Sequence, residues 1–249
     1  MYTTTARHAP LFEKRNEVNL EGGLSPNSVH AAGSWAVTNH IGVSAIGSLS
    51  YRNISDRLAL SKGQFIEDGI FATTYHLGAD NYRSGEVSLG LYNFLPPAKW
   101  NLEIFGGYGQ GSDYNKDWRY YNSKFKIYFV QGDVWQRYKF MRYGTVLRLA
   151  YSQFNFAYSP EQNNWNKIDT PNPPNPQNFI HRKFHNIHLE PSIFIKFGVG
   201  HFNGVVQAGL SIPTTLTSLS DINLPYKIKN GDWNYTWFHI SWGVNYKIF

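Results

Sequence analysis

The chain has 249 residues and a net charge of +6 at pH 7, and it contains no cysteine, which excludes disulfides, cysteine nucleophiles and cysteine metal sites. Aromatic residues make up 17% of the chain and charged residues 16%. The longest uninterrupted apolar run, residues 127–130, is far shorter than the roughly 20 residues that a membrane-spanning helix needs. The cations form no stripe and no RNA-binding motif is present, so a nucleic-acid partner is not expected.

Residues 1–16 form a polar, irregular lead that contains Pro10. From Glu17 onward apolar and polar residues alternate, and a period of two predicts β-strands with one apolar and one polar face. Clusters of Ser, Pro, Asn and Gly separate these segments and predict turns. The alternating segments number about ten and cover residues 17–24, 29–37, 41–52, 82–94, 102–108, 128–137, 147–152, 186–197, 206–212 and 233–249.

The last of these segments, WNYTWFHISWGVNYKIF, is long and ends on Phe249. Ile240, Trp242 and Val244 share one face, while the opposite face carries polar residues such as His239. This stretch resembles the closing strand of bacterial outer-membrane β-barrels. A soluble β-sandwich also fits the stretch taken alone, so the connections and the charges have to decide between the two.

The connections between the predicted strands alternate between short turns and long loops. The long loops lie near residues 54–81, 112–122, 159–182 and 213–232, with a short hairpin expected near residues 70–75. Only the connection between the first two strands breaks the alternation. Short turns at one end and long loops at the other predict an all-β, transmembrane up-and-down antiparallel β-barrel, with both termini at the short-turn end. A Greek-key sandwich gives no reason for this pattern.

The polar faces of the strands carry charged residues at mid-strand, which a soluble core tolerates only in pairs and a membrane barrel accepts in its lumen. Aromatic residues gather near both strand ends, as in the interfacial girdles of membrane barrels. We therefore expect a barrel over residues 17–249 in the cell outer membrane, with residues 1–16 on the periplasmic side. The mid-strand charges are predicted to form a lumen network of Glu21, Glu86, Glu103, Asp133, Arg137, Arg148, Glu190 and Lys196.

Four stretches carry a narrower resemblance: APLFEKRNEVNLEGGL, AVTNHIGVSAIGSLSY, GEVSLGLYNFLP and LEPSIFIKFG. Together they resemble the small outer-membrane barrel proteins of the Bacteroidetes type, several of which are exported as lipoproteins with a first cysteine. The resemblance implies a Gram-negative outer membrane and makes the chain a lipoprotein candidate, and it implies no activity. The first ten residues lack the apolar stretch of a signal peptide, so we expect a mature form.

Candidate catalytic and metal-binding groups are few. His185 and His188 would point to opposite faces of a strand, so a metal site with His181 depends on loop geometry. Glu67, Asp68 and His76 all fall in one predicted loop, whereas a barrel protease site draws on facing strands. The sequence contains no Gly-x-Ser-x-Gly elbow. No catalytic residue, metal or cofactor is assigned, and the chain is predicted not to be an enzyme.

The predicted loops are rich in aromatic residues mixed with Asn and Lys, which suits protein or glycan contacts. Packing of the loops on one another explains the same residues equally well. The loop binding candidates are Tyr114, Trp118, Tyr120, Trp165 and Trp233. The favoured function is a structural or accessory subunit of an envelope complex or a surface binding module. Its partners would be outer-membrane lipid and other outer-membrane proteins, and the alternatives are a small channel and, third, a barrel enzyme.

Overall fold

The computed structural model describes residues 7–25, 28–50, 82–94, 99–115, 121–158, 180–213 and 238–248. These residues form ten strands, and β9 resumes after Ser211 as the short segment Ile212–Pro213, which pairs with the same neighbour. No helix among the described residues is long and apolar enough to cross a membrane. The strands are β1 (Val18–Ser25), β2 (Ser28–Ala36), β3 (Ile41–Ser50), β4 (Arg83–Tyr92), β5 (Asn101–Asn115), β6 (Tyr121–Tyr138), β7 (Met141–Tyr158), β8 (Ile180–Val199), β9 (Phe202–Leu210) and β10 (Phe238–Ile248).

Each strand pairs antiparallel with the next one in the chain, and β10 pairs with β1. Val18 lies opposite Ile248, and Leu24 lies opposite Trp242. The sheet therefore closes on itself and leaves no edge strand, which a membrane barrel requires. The predicted up-and-down barrel of ten strands is confirmed.

The two ends of the barrel differ in their connections. The turns at residues 37–40, 93–100, 139–140 and 200–201 lie at the end where β1 starts and β10 finishes, called here the terminal end. Lys139 and Gly200 have positive φ angles of 53° and 69°, as tight hairpin turns require. At the opposite loop end the connections at residues 26–27 and 116–120 are short, and those at residues 51–82, 159–179 and 214–237 are longer than any at the terminal end. In outer-membrane barrels the short turns generally face the periplasm and the longer loops face the outside of the cell.

The outward faces of the strands are apolar and exposed. Ile193 is 62% exposed and Leu149 is 53% exposed, whereas the inward neighbours Ser192 and Arg148 are buried. An exposed apolar band around a closed barrel is the surface that contacts lipid. The outward residues predicted from the alternation include Leu89, Ile104, Leu210, Trp242 and Val244, and all five are exposed.

Strands β5 to β8 are longer than the others and rise beyond them at the loop end. β8 has 20 residues, whereas β1 has 8. In the upper part of this wall the inner face is apolar and the outer face is polar, the reverse of the lower part. Phe125 and Ile127 are buried inside, while Lys124 and Lys126 are exposed outside. A polar environment in place of hydrocarbon on the outer side explains this reversal.

The predicted loops 112–122 and 159–182 are correspondingly shorter in the structure. β5 continues to Asn115, β6 begins at Tyr121, and β8 begins at Ile180. The predicted strands are too short because they were defined by apolar residues on the outward face. Those apolar residues end where the wall leaves the membrane. The hairpin expected near residues 70–75 lies outside the described residues.

Aromatic side chains mark both borders of the apolar band. Tyr128 and Tyr151 are exposed on the side of the loop end, and Trp100, Tyr138 and Phe140 are exposed by the terminal-end turns. Such girdles lie at the two membrane–water interfaces. The protein is a transmembrane β-barrel of the cell outer membrane.

Candidate functional site

The centre of the barrel is occupied by part of the chain itself. Residues 7–12, called here the lumen segment, have no regular secondary structure, and every residue of the segment is buried. Leu11 and Phe12 are at most 2% exposed. The described residues 7–16 of the predicted lead contain no helix or strand, and residues 7–12 lie inside the barrel and not on its periplasmic side, which corrects that part of the prediction.

The lumen segment runs along the barrel axis. At the terminal end, Glu13 accepts a hydrogen bond from Arg142 Nε at 3.1 Å, close to the turn at residues 139–140. At the other end of the segment, the backbone N–H of Arg7 donates to Gln207 Oε1 at 2.8 Å. The Arg7 guanidinium reaches Glu190 Oε2 at 2.6 Å, well up β8. From Glu13 back to Arg7, the chain therefore runs from the terminal end toward the loop end.

Glu103 on β5 holds the lower part of the segment. Its two carboxylate oxygens accept hydrogen bonds from the backbone N–H groups of Phe12 at 2.6 Å and Leu11 at 3.2 Å. Leu11 has a φ of 56°, the left-handed conformation that turns two successive N–H groups to the same side. Such a nest is a backbone site for an anion, and here a wall carboxylate occupies it.

Phe12 packs against a glycine of the wall. The ring lies where a Cβ on Gly42 of β3 would be, so only glycine leaves room for it there. Its ring centroid is 5.1 Å from that of Tyr92 and 6.4 Å from that of Phe105. These buried rings form an apolar layer that closes the lumen near the terminal end.

Above this layer lies a group of ion pairs centred on Arg148. Its NH1 and NH2 atoms bind the two oxygens of Glu86 at 2.6 Å and 3.1 Å, and its Nε lies 3.2 Å from Glu190. The guanidinium also stacks on the ring of Phe129, with Cζ 3.8 Å from the centroid. Because Glu190 also pairs with Arg7, the wall and the lumen segment share one charge network.

Lys196 forms a second group. Its ammonium donates to Glu21 Oε2 at 2.9 Å and to the carbonyl oxygen of Ala9 at 2.7 Å. The ring of His8 lies beside the same carboxylate, with Nδ1 3.4 Å from Glu21 Oε2. The lumen segment is thus bonded to both charge groups as well as to Glu103.

The remaining members of the predicted lumen network are placed differently. Asp133 lies opposite Glu103 in the register of β5 and β6, and it accepts hydrogen bonds from Gln131. Arg137 does not join the buried charges, which corrects the prediction. Its side chain is 59% exposed at the terminal mouth, 3.5 Å from Glu13, because this position lies one residue before the end of β6.

Little space remains between the segment and the wall. A void of about 20 Å³ lies among His8, Pro10, Phe129, Gln131 and Arg148. This volume is about that of one water molecule. The described part of the lumen is therefore packed at this level.

The part that the N-terminal residues play in the lumen was not predicted from the sequence. Arg7 and His8 pair with acids of the wall, and Glu17 binds Lys247 Nζ at 2.8 Å. One signal was available, because the predicted network contained five acids and three bases. A closed lumen with surplus acid needs another cation, and the apolar run from Ala9 to Phe12 next to Arg7 was a candidate source.

Other predicted groups are separated or undescribed. His185 is exposed on the outer face and His188 is buried inside, so the two do not share a metal, and the described residues hold no group of three metal-ligating side chains. The residues whose structure or side chain is not described are Glu67, Asp68, His76, Tyr114, Trp118, Tyr120, Trp165 and Trp233.

No family model and no curated protein matches the chain. Among solved structures, the outer membrane protease OmpT from Escherichia coli is similar at 10% identity, covering 93% of this chain and 92% of that one, with a TM-score of 0.49. Ail of Yersinia pestis, the attachment invasion locus protein, is 10% identical over 94% of this chain and 100% of that one, with a TM-score of 0.38. Outer membrane phospholipase A from Escherichia coli is 7% identical over 94% and 92%, with a TM-score of 0.34. These likenesses concern overall shape and assign no residue or activity to this chain.

Proposed function

We propose that this chain is a non-enzymatic, non-conducting outer-membrane barrel that acts as a structural or accessory subunit of an envelope complex or as a surface binding module. The observation that carries the proposal is the lumen segment, which occupies the middle of the barrel. Its contacts reach Glu103 on β5 and both Glu190 and Lys196 on β8. A lumen that is filled by a hydrogen-bonded segment favours a structural or binding function over transport.

The buried acids also support a role other than catalysis. Glu86 and Glu190 are engaged by Arg148, and Glu21 is engaged by Lys196. Buried carboxylates that are paired with cations are poorly placed to exchange protons with a substrate as general acid or base. These groups serve as filling for the lumen.

The working surface in this proposal is the loop end. The predicted binding residues Trp118, Trp165 and Trp233 fall in the connections at that end. Tryptophan is enriched in binding hot spots, where it supplies a large buried area. The binding role is therefore assigned to these connections, with other outer-membrane proteins as the expected partners.

The same proposal places the chain among the small Bacteroidetes-type barrels that its strand and turn segments resemble. Several members of that group are exported as lipoproteins. Mass spectrometry of the native protein would show whether an acylated cysteine stands ahead of the N-terminal segment.

A gated channel is the second candidate, and the terminal mouth favours it. Glu13 is 32% exposed there, and its pair with Arg137, which is 59% exposed, lies in solvent. An exposed pair of this kind contributes about 0–1 kcal/mol, so the pair with Arg142, which is 14% exposed, is the main ionic contact that holds this end of the N-terminal chain.

Ion current across planar bilayers separates the two candidates. We expect the wild type to pass no steady current, because the void beside the lumen segment is about 20 Å³. Gly42→Val would overlap the Phe12 ring and displace the lower end of the segment, so a small current should appear. Gly47→Val is the matched control on the same strand, since its outward Cβ would meet nothing closer than 3.8 Å. This control variant should pass no current. Steady current through the wild type would replace this proposal with the channel.

A further inference from the structure

The register of strands β4 to β8 arranges their outward side chains in rows across the wall. Tyr108 lies opposite Tyr128, and Tyr128 lies opposite Tyr151, so three tyrosines stand side by side. The tyrosine row consists of Val87, Tyr108, Tyr128, Tyr151 and Ile187. The two rows above it, called here the basic rows, are Gly85, Gln110, Lys126, Gln153 and His185, and then Arg83, Ser112, Lys124, Asn155 and Lys183.

The tyrosine row marks the outer border of the membrane. The next row toward the terminal end is wholly apolar and consists of Leu89, Gly106, Val130, Leu149 and Leu189. Tyrosines that border such a band lie at the level where hydrocarbon gives way to head groups. On the inside of the wall, the exchange from polar to apolar residues at Phe129, Ile127 and Phe125 occurs at the same height.

On β5, β6 and β7, where the tyrosines stand, the basic rows therefore lie at the depth of the lipid head groups and just above it. Residues two apart on a strand are separated by about 7 Å, and strand tilt reduces the height gained along the axis. The head-group region is about 5–8 Å thick on each side of the bilayer. Lys126 is one row beyond Tyr128, and Lys124 is one row further.

The chemistry of the basic rows suits phosphate. They contain four cations, a histidine, several amides and a hydroxyl, and none of the ten residues is acidic. Lys124, Lys126 and Lys183 are exposed, and Arg83 Nε donates to Ser112 Oγ at 2.9 Å. Ammonium, guanidinium and amide groups are the donors that bind phosphate oxygens.

The spacing allows several cations to act together. Lys124 is two strands from Arg83 and two strands from Lys183, which is about 10 Å on each side, and about 7 Å from Lys126 on its own strand. Flexible lysine side chains can close such gaps around one phosphate. The surface is therefore suited to the closely spaced phosphates of a lipid layer.

Among the residues that the structure describes, the outward cations near the loop end lie on one side of the barrel. On the other strands, the outward residues near the loop end are apolar: Leu24, Val29, Leu210, Ile212 and Phe238. A rim that merely met water would carry polar residues around the described circumference. The one-sided arrangement indicates a specific contact along β4 to β8.

We propose that the basic rows bind the phosphate groups of lipid head groups in the outer leaflet, beside the tyrosine row. The inference goes beyond the closed lumen, since a barrel that conducted ions could bind lipid in the same way. It commits to lipid phosphate, and binding of free phosphate is a competing outcome of the test.

The test uses the full chain in nanodiscs of phosphatidylcholine with and without phosphatidic acid. We expect phosphatidic acid to raise the unfolding temperature of the wild type and to remain bound in native mass spectrometry. The variant K124Q/K126Q/K183Q should lose most of that rise while unfolding at the wild-type temperature in pure phosphatidylcholine. The variant K14Q/K99Q/K139Q removes the same charge from exposed positions away from the basic rows, and it should keep the rise.

Two results would overturn the proposal. Equal losses in the two triple variants would show general attraction between a cationic protein and an anionic bilayer. A rise of the same size from inorganic phosphate in pure phosphatidylcholine would show a site for the free anion in place of the lipid. Neither result bears on whether the lumen conducts.

Discussion

Arg148 joins two strands that face each other across the lumen. It binds both oxygens of Glu86 on β4 and one oxygen of Glu190 on β8, and it stacks on Phe129. A guanidinium offers five donors in one plane and can make these contacts at once, whereas the ammonium of lysine cannot. The position therefore depends on the shape of arginine as well as on its charge.

Arg148→Ala should lower the free energy of unfolding by about 3–5 kcal/mol, because Glu86 would stay buried without its partner. Arg148→Lys should recover part of this loss, since it restores the charge without the fork. The measurement is urea unfolding in detergent micelles, followed by tryptophan fluorescence. Arg137→Ala is the control, because its exposed pair with Glu13 contributes about 0–1 kcal/mol. Similar losses at residues 148 and 137 would show that the buried pairs are not needed for stability.

At the scale of one element, β7 shows how a strand changes along its length. Its outward residues Leu147 and Leu149 face lipid, Tyr151 lies at the interface, and Gln153 and Asn155 follow beyond it. The same face of one strand therefore meets three environments in turn. This order fixes where the membrane ends on the wall.

Leu147→Arg should destabilise the barrel by about 2–4 kcal/mol, because it brings a cation into the apolar band midway between Tyr143 and Tyr151. Asn155→Arg, on the same face of the same strand, should change stability by less than about 0.5 kcal/mol. Folding in lipid vesicles, read as the shift between folded and unfolded bands on a gel, provides both values. Equal costs at the two positions would mean that the membrane border lies elsewhere on β7.

The central parts of the strands could be predicted from the sequence, because residues that face lipid are apolar and their neighbours that face the lumen are polar. A slip of one residue would exchange Ile193 with Ser192, so the apolar set determines the orientation of the strand. The upper parts of β6 and β8 were missed because the outward residues there, such as Lys124 and Lys183, meet water. Apolar and polar residues still alternate there, but the apolar residues face inward and the polar residues face outward. A strand prediction based on apolar outward residues does not detect this pattern.

At the scale of the whole molecule, the lumen is filled in three layers. Phe12 and Phe105 close the terminal end, the network of Arg148 lies above them, and Phe125 and Phe154 pack together toward the loop end. Phe105 and Arg148 lie on strand faces that the sequence predicted, whereas Phe125 and Phe154 lie beyond the predicted segments. The lumen segment could not, because a chain without a period gives no sign of which side of the wall it occupies.

A cysteine tag at the N-terminus tests the direction of the lumen segment, because the chain has no other thiol. The distance from Arg7 to the tag is about 20 Å of extended chain. The tag should react with a membrane-impermeant maleimide on intact cells, as should the outward control Asn155→Cys. Lys14→Cys, exposed at the terminal end, should react only after the outer membrane is opened. A tag that behaves like Lys14→Cys would reverse the assigned direction.

The direction of the lumen segment has a consequence for topology. β10 finishes at the terminal end, whereas the chain ahead of Glu13 ascends through the barrel toward Arg7 and the opposite side. Arg7 and the finish of β10 therefore lie at different levels of the barrel, although the number of strands is even. A chain that continued in this direction ahead of Arg7 would emerge at the loop end, opposite the finish of β10, without a membrane span of its own.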